Sequence, residues 1–427
     1  MSERLKILFL TNRGPYPIKD GQSRRTYNIL RGLASRHDVY LLSLVESPEE
    51  VLPKSVGDLK GFCKDVEMLL GPPKTVSFGM IARLLRSLFS ADPYTVWRHY
   101  SRPYVNRVRM RLHTTPFDVV HCDILPLAYC IRGLHGPFRT LTDHDVSYLK
   151  AKRLAAQARN PILKLFLYLE ALKLKQLESR VFAKLDLGIA VSEPDRQHLE
   201  RLCPEGRFVV VENGVDVQAF VPDPHAVEPN ALVWVGGFHH YPNCEAVRFF
   251  LEDIYPRIKQ EKAETKFYVV GGRVPDWLRE LATGDRSIVL TGYVDDPLPY
   301  IQRAAVFVAP ILSGGGTKLK VLEAMAVGRP IVSTSIGVEG IEGEDQEHFM
   351  VADRPEAFSS GVVSLLNDRL LRERLGANAR KRAIEKYDWE AICEAISRIY
   401  QGARETVTDA SQAGCAITSR QPDSRVG

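Results

Sequence analysis

Apolar runs of strand length recur along this chain, and each is followed by a stretch with helical spacing. Leu5–Thr11 (LKILFLT) is the first, a buried-strand pattern near the N-terminus. The loop Asn12–Gly21, with two prolines and two glycines, leads into Ser23–Ser35, where Tyr27, Leu30 and Ala34 share one helical face. Val39–Val45, Asp118–Cys122, Arg139–Asp143, Leu187–Ser192 and Phe208–Glu212 read as further strands. Strands alternating with helices predict right-handed crossovers and a mainly parallel, doubly wound sheet.

The pattern pauses at Val221-Pro222-Asp223-Pro224, turn chemistry that suits a linker, and then restarts. Ala231–Val235 ends in Gly236-Gly237, and a helix is expected from about Asn243 to Lys262. Thr265–Val270 ends in Gly271-Gly272, and Ser287–Thr291, Val306–Ala309 and Pro330–Ser333 continue the series. The expected layout is an N-terminal Rossmann-like domain over 1–220, a linker over 221–229 and a C-terminal Rossmann-like domain over 230–385. A helix over 386–405 is expected to cross back to the N-terminal domain. The tail over 406–427 has too little apolar content to fold and is expected to be disordered. The fold class is therefore α/β, two doubly wound domains facing each other across a cleft, with ligands at the carboxyl ends of the strands.

Composition narrows the setting. No apolar run approaches the roughly 20 residues that a membrane-spanning helix needs. Ser2-Glu3-Arg4 leads straight into the first strand without a signal-peptide layout. Seven scattered cysteines, an odd number with no CxxC pair, argue against a disulfide framework or a zinc site and for a reducing cytoplasm. Residues 1–190 carry 30 Lys+Arg against 17 Asp+Glu, leaving 27 of the 57 basic and 35 of the 52 acidic residues for the rest. A basic half suits an anionic partner, or simply a solvated face. Two basic amphipathic stretches lie in it, Phe78–Phe89 and Asn160–Leu185. Such a stripe suits either packing on a core or peripheral contact with anionic membrane, here at the inner face of the cell membrane. Nucleic acid ranks last among the partners, because no aromatic-basic interleaving of a known module is present.

Ser313–Thr334, SGGGTKLKVLEAMAVGRPIVST, is the most informative stretch. Three glycines follow a strand and open a helix. Backbone without a Cβ can approach a phosphate, and free N–H groups and the helix dipole favour negative charge there. Lys318 and Lys320 in the first turn oppose the dipole unless an anion is bound. Glu323 is a lone carboxylate in an apolar helix, costly unless partnered, for instance by sugar or ribose hydroxyls.

This stretch, with KxxEAMAxGxPIV from Lys320, the Glu212-Asn213-Gly214-Val215-Asp216 segment and the restarted α/β pattern, resembles the retaining GT-B glycosyltransferases of family 4. Within them the chain is similar to bacterial sugar transferases of exopolysaccharide synthesis. The resemblance runs from about Leu5 to Tyr400. It implies a nucleoside diphosphate sugar as donor, held mainly by the C-terminal domain, and a lipid-linked or glycan acceptor over the N-terminal one. Carried over by position, Glu323 would accept hydrogen bonds from the ribose, while Gly315, Gly316 and Thr317 would line the diphosphate or sugar with Lys318 and Lys320. Gly21 would bring N–H groups to the same phosphates, and His144, in Thr142-Asp143-His144-Asp145, matches the histidine that approaches the donor sugar. Gly237, His240, Asn243 and Glu339 are weaker donor-side candidates.

Two departures stand out. Many members carry a glutamate eight residues before the second one, where this chain has Gly315. Many also carry an arginine and a lysine after the first glycine of the second domain, where this chain has Gly236-Gly237-Phe238-His239-His240-Tyr241-Pro242-Asn243. Lys318 and Lys320 are expected to replace that charge. Glycosyl transfer releases a diphosphate, so positive charge and N–H donors are required where negative charge develops. With lysines and a helix dipole supplying them, no metal and no cofactor is expected. Retention in this fold class is explained by front-face attack, with the leaving phosphate taking the acceptor proton, and so no nucleophile is required. The rival readings are a nucleotide-sugar 2-epimerase and a non-catalytic nucleotide-sugar-binding partner.

Overall fold

A computed structural model of the chain describes residues 3–18, 21–45, 51, 53–72, 78–158, 160–314 and 316–418. The chain divides into two units, Met1–Val211 with Cys393–Gly427, and Glu212–Ile392.

The first unit is built on a sheet of seven parallel strands: β1 (Lys6–Thr11), β2 (Asp38–Val45), β3 (Asp65–Leu70), β4 (Val119–Cys122), β5 (Phe138–Asp143), β6 (Leu187–Ala190) and β7 (Phe208–Val210). Their order is β3-β2-β1-β4-β5-β6-β7. All but β3 follow the apolar runs. β3, DVEMLL, is an edge strand and mostly only half-buried, so it lacks the continuous apolar signature of the centre. Helix α1 (Gly21–Ala34) follows β1, and α2 (Phe78–Leu88), α3 (Ser147–Gln157) and α4 (Pro161–Phe182) lie further along. Leu8, Leu10, Val120, Leu141, Leu174 and Val181 are buried in its core.

The second unit repeats the plan with six parallel strands: β8 (Glu228–Val235), β9 (Lys266–Val270), β10 (Ile288–Gly292), β11 (Ala304–Ala309), β12 (Ile331–Ser333) and β13 (Met350–Val351). Their order is β10-β9-β8-β11-β12-β13. Only the two-residue β13 has no counterpart in the apolar runs. The helix expected over 243–262 is α5 (Tyr241–Phe249), a π-turn at Phe250–Ile254 and a short helix Tyr255–Glu261. Pro256 accounts for the break, since it has no N–H to give to the preceding turn. Helix α6 (Leu319–Ala326) follows β11.

The division between units comes at Val211, ahead of the proline-rich stretch read as the linker, and so the boundary drawn at 220 moves back. The reason is local. Val215 N–H donates to Tyr387 O at 2.7 Å, and a Cβ on Gly214 would lie 2.6 Å from the Trp389 indole, so this segment is already packed into the second unit. Residues 228 and 229, placed in the linker, belong to β8. The last helix, α7 (Trp389–Thr418), groups with the first unit from Cys393 onward. His37 Nε2 is bonded to Ser397 Oγ at 2.7 Å, and a Cβ on Gly32 would lie 2.3 Å from Cys393 Sγ, so only glycine lets the helices meet there. Helix α7 continues through 406–418, where low apolar content had suggested a disordered tail. The same expectation for 419–427 lies outside the described residues.

Candidate functional site

In both sheets the strand order reverses beside the unit's first strand, between β1 and β4 and between β8 and β11. Helices leave opposite faces at such a point, and ligands of open α/β sheets bind at the carboxyl ends there. Most of the candidate residues fall at these two places.

In the second unit β11 is buried throughout and runs out into the glycine loop. Gly314 at φ +114° and Gly316 at φ +67° take backbone conformations that L side chains rarely adopt, so the loop favours glycine at both. Gly315 lies outside the described residues. Ser313 Oγ donates to Glu245 Oε2 on α5 at 2.5 Å and ties the loop to that helix. Lys318 is the N-cap residue of α6, and its Nζ donates to Gly316 O at 2.6 Å. Thr317 is buried behind it.

Lys320 is the unusual member. Its Nζ donates to Asn243 Oδ1 at 2.8 Å and stands 3.8 Å from the centroid of the Trp234 ring. Asn243 is itself held by donation from Nδ2 to Gly237 O at 2.7 Å. A Cβ on Gly236 would lie 2.5 Å from that ammonium, so the glycine at the end of β8 makes room for it. Among the described residues no carboxylate pairs with Lys320. Removal from water, with Lys318 nearby, pushes its pKa down to about 7. An anion placed here would restore the charge.

Glu323 is 5% exposed, among the buried Val321, Leu322, Ala324 and Met325 of α6. Thus Gly237, Asn243, Lys320, Lys318 and Gly316 are brought together. His240 is the exposed N-cap residue of α5, and Glu339 lies on the turn after Thr334, partly exposed. Sequence reasoning missed Trp234 and Glu245. Trp234 passes for one more apolar strand position, and Glu245 for a surface residue of a polar helix.

In the first unit Asp123 follows β4 and His144 follows β5. His144 Nε2 is 2.7 Å from Asp123 O and 3.4 Å from Asp123 Oδ1, with the histidine side chain 16% exposed. The buried Asp123 also accepts from Thr26 Oγ1 of α1 at 2.6 Å. His121 Nε2 stands 3.7 Å from Asp123 Oδ1, and its Nδ1 is bonded to Tyr400 OH of α7 at 2.6 Å. Burial alone would raise the Asp123 carboxyl, but the facing His144 and His121 outweigh it and hold it below the usual carboxylate range. Burial lowers His121 against the pull of Asp123, and its ring bridges Tyr400 and the strand end. Gly21 is exposed and is the first residue of α1, the helix that supplies Thr26. Asp123, Thr26 and Tyr400 carry no sequence signal beyond polarity, because only the strand order brings them together.

The neighbours of His144 have their own roles. Asp145 pairs with Lys150 at 2.7 Å. Asp143 is buried, and burial and the nearby charge of Glu178 raise its pKa well above normal. Burial likewise raises Glu178, to about 8, even though its Oε1 accepts from Ser147 N at 2.6 Å and Tyr148 N at 3.3 Å. This carboxyl pair retains a proton and closes the start of α3, just after the histidine.

Known proteins agree with this architecture. Residues 19–219 match the family described as Glycosyltransferase Family 4, and residues 229–368 match Glycosyl transferases group 1. The phosphatidyl-myo-inositol mannosyltransferase of Mycobacterium tuberculosis is 28% identical over 293 residues, 62% of this chain and 74% of that protein. Sucrose-phosphate synthase from Thermosynechococcus elongatus superposes with a TM-score of 0.70 at 16% identity, over 93% of this chain and 99% of that one. The Anabaena HepE protein in complex with UDP-glucose gives 0.65 at 13% identity, over 93% and 100%. With a family match on each unit and two Rossmann-like parallel sheets, the chain is a glycosyltransferase of the GT-B fold.

Proposed function

We propose that the protein moves a hexosyl group from a nucleoside diphosphate sugar to a lipid-linked or polysaccharide acceptor, with retention at the anomeric carbon. The setting is exopolysaccharide or cell-surface glycan synthesis at the inner face of the cell membrane. The observation that carries the reading is Lys320, an ammonium drawn out of water beside a glycine loop at a topological switch point and, among the described residues, without a carboxylate. A diphosphate is the anion whose size and charge suit such a loop. UDP-glucose in the Anabaena structure and the phosphatidylinositol acceptor in the mycobacterial enzyme's name support the donor and acceptor classes.

In this reading Lys320 and Lys318 meet the charge that grows on the leaving diphosphate, and Gly315, Gly316 and Thr317 add backbone N–H groups. Glu323 accepts from the ribose. Gly21 donates backbone N–H groups at the phosphates, and His144, held by Asp123, is the side chain of the first unit assigned to the transfer step. Gly237 and Asn243 support Lys320, with His240 and Glu339 at the donor's edge. The two lysines make the reaction independent of a metal, and no cofactor takes part. The family matches leave the epimerase and the non-catalytic partner as the less favoured readings.

A thermal-shift screen of UDP-, GDP- and ADP-sugars tests the proposal. The correct donor at about 100 times its Kd stabilises the fold by about 2.7 kcal/mol. A flat response to every nucleoside diphosphate compound refutes it.

A further inference from the structure

Helix α4 has two apolar faces where one suffices. Ala171, Leu174, Leu177 and Val181 are buried in the core of the first unit. On the other side Ile162, Leu165, Leu169 and Leu172, spaced at three and four residues, are 79%, 62%, 43% and 60% exposed. The stripe does not end with the helix. Lys173 Nζ donates to Ser87 O and Leu88 O at the end of α2, which brings Leu88 and the 92% exposed Phe89 beside it. A contiguous surface of large aliphatic and aromatic side chains is unusual on a soluble monomer and marks a contact.

The charges around it select the partner. Helices α2, α3 and α4 contain only two acidic residues, Glu170 and Glu178, and both are buried, accepting backbone N–H groups at the starts of the helix Tyr94–His99 and of α3. The exposed charges on these helices are all basic: Arg86 on α2, Lys150 (paired with Asp145), Lys152 and Arg153 on α3, and Lys164, Lys175 and Arg180 (facing Asp92) on α4. A second copy of this chain would set this basic rim against itself. An anionic bilayer would accept the aliphatic stripe among its acyl chains and pair phosphates with the rim, at about 1 kcal/mol per Lys or Arg near the surface. Among the described residues no helix is long and apolar enough to cross a membrane, so the contact lies in the interface.

We propose that the exposed face of α4, with the end of α2 and the basic side chains of α3, is a docking surface for an anionic phospholipid bilayer. The inference deepens the lipid-linked acceptor reading and rests on it for its biological setting. Its test needs neither donor nor acceptor.

The full chain is sedimented with vesicles of phosphatidylcholine containing about one-third phosphatidylglycerol, and with phosphatidylcholine alone. Binding to the anionic vesicles, weaker by roughly tenfold or more without phosphatidylglycerol, is the expected result. The double substitution Leu165→Glu/Leu169→Glu places two charges in the stripe and is expected to lower partitioning by roughly tenfold or more. Its melting temperature stays unchanged because both positions are solvent-exposed. The milder Ile162→Ser/Leu172→Ser variant repeats the test if the glutamates disturb folding. Equal partitioning by wild type and a folded variant overturns the proposal. So does a concentration-dependent dimer, seen by light scattering and abolished by the same substitutions, in a protein that ignores vesicles. Failure here leaves a positive donor thermal shift untouched, so the two readings are separable.

Discussion

The strand-end sites of the two units solve the same electrostatic problem in opposite ways. After β4 and β5 the buried ionisable groups answer one another: Asp123 faces two histidines and Thr26, and Asp143 shares its surroundings with Glu178. After β8 and β11 the half-buried charge is left open, with Lys320 held by an amide oxygen and an indole face. A closed network fixes geometry before any ligand arrives, whereas an open one gains stability when an anion binds. The first site is thus built to hold a side chain in place, and the second to receive charge.

Breaking the closed site at its exposed end has the largest expected effect. His144→Ala should lower turnover by about 10²- to 10⁴-fold, the usual range for a group that moves a proton or stabilises charge in the transition state. Donor-induced thermal shift should persist. Loss of the shift together with activity would make His144 a structural residue instead.

Lys320→Met comes next. Removing a charge-assisted contact worth about 1.5–3 kcal/mol weakens nucleoside diphosphate affinity by roughly tenfold to a hundredfold. The melting temperature of the free protein should hold or rise, because a lone desolvated cation costs stability. Lys320 also gives the open site a pH signature. With the Lys320 pKa down to about 7, its ammonium is lost as pH climbs past neutrality, so diphosphate affinity should fall from pH 7 to 9. The ligand does not contribute to this trend, since its last phosphate proton leaves near about pH 6. Isothermal titration of UDP across this range checks both points. A wild type and a Met variant with the same pH profile would show that Lys320 does not bind the phosphates.

How legible these sites were in the sequence follows from the same contrast. Much of the open site was written in one stretch: the glycines at a positive φ that L side chains rarely adopt, the two lysines and Glu323 all lie within Ser313–Thr334. Most strands were equally plain, because a central parallel strand is apolar on both faces and needs no context to recognise. The closed site was legible only at His144. Its partners Thr26, His121, Asp123, Glu178 and Tyr400 are ordinary polar residues scattered along the chain, and only the strand order and the return of α7 bring them together. The unit boundary was misplaced for a related reason. Proline-rich composition marks a turn, but packing of Gly214 against Trp389 decides which unit the chain has joined.

The carboxyl pair sharpens the comparison on stability. Asp143 and Glu178 both have raised pKa values, Glu178 at about 8 against an ordinary 4.5. Between those values the native state holds a proton that the unfolded chain gives up, so stability is complete at low pH and falls as pH rises toward 8. Asp143→Asn keeps the shape without the second charge and should flatten the decline between pH 5 and 8, read from melting temperatures. A wild-type protein that grows more stable over this range would contradict the shared proton.

Trp234→Phe gives the smallest effect and the finest test of the open site. The substitution keeps an aromatic face beneath Lys320 but weakens the ring's attraction for a cation, a term of about 0.5–2 kcal/mol in full. Only part of that is lost, so nucleoside diphosphate affinity should change by no more than about threefold. The direction is the informative part. A weaker aromatic partner leaves the ammonium less stable in the free protein, which lowers the pKa of Lys320 further and shifts the fall in affinity to lower pH. Trp234→Leu should move it further still, at the cost of packing in a fully buried position. If the fall stays at the same pH in all three proteins, the indole is only core, and Asn243 alone holds the ammonium in place.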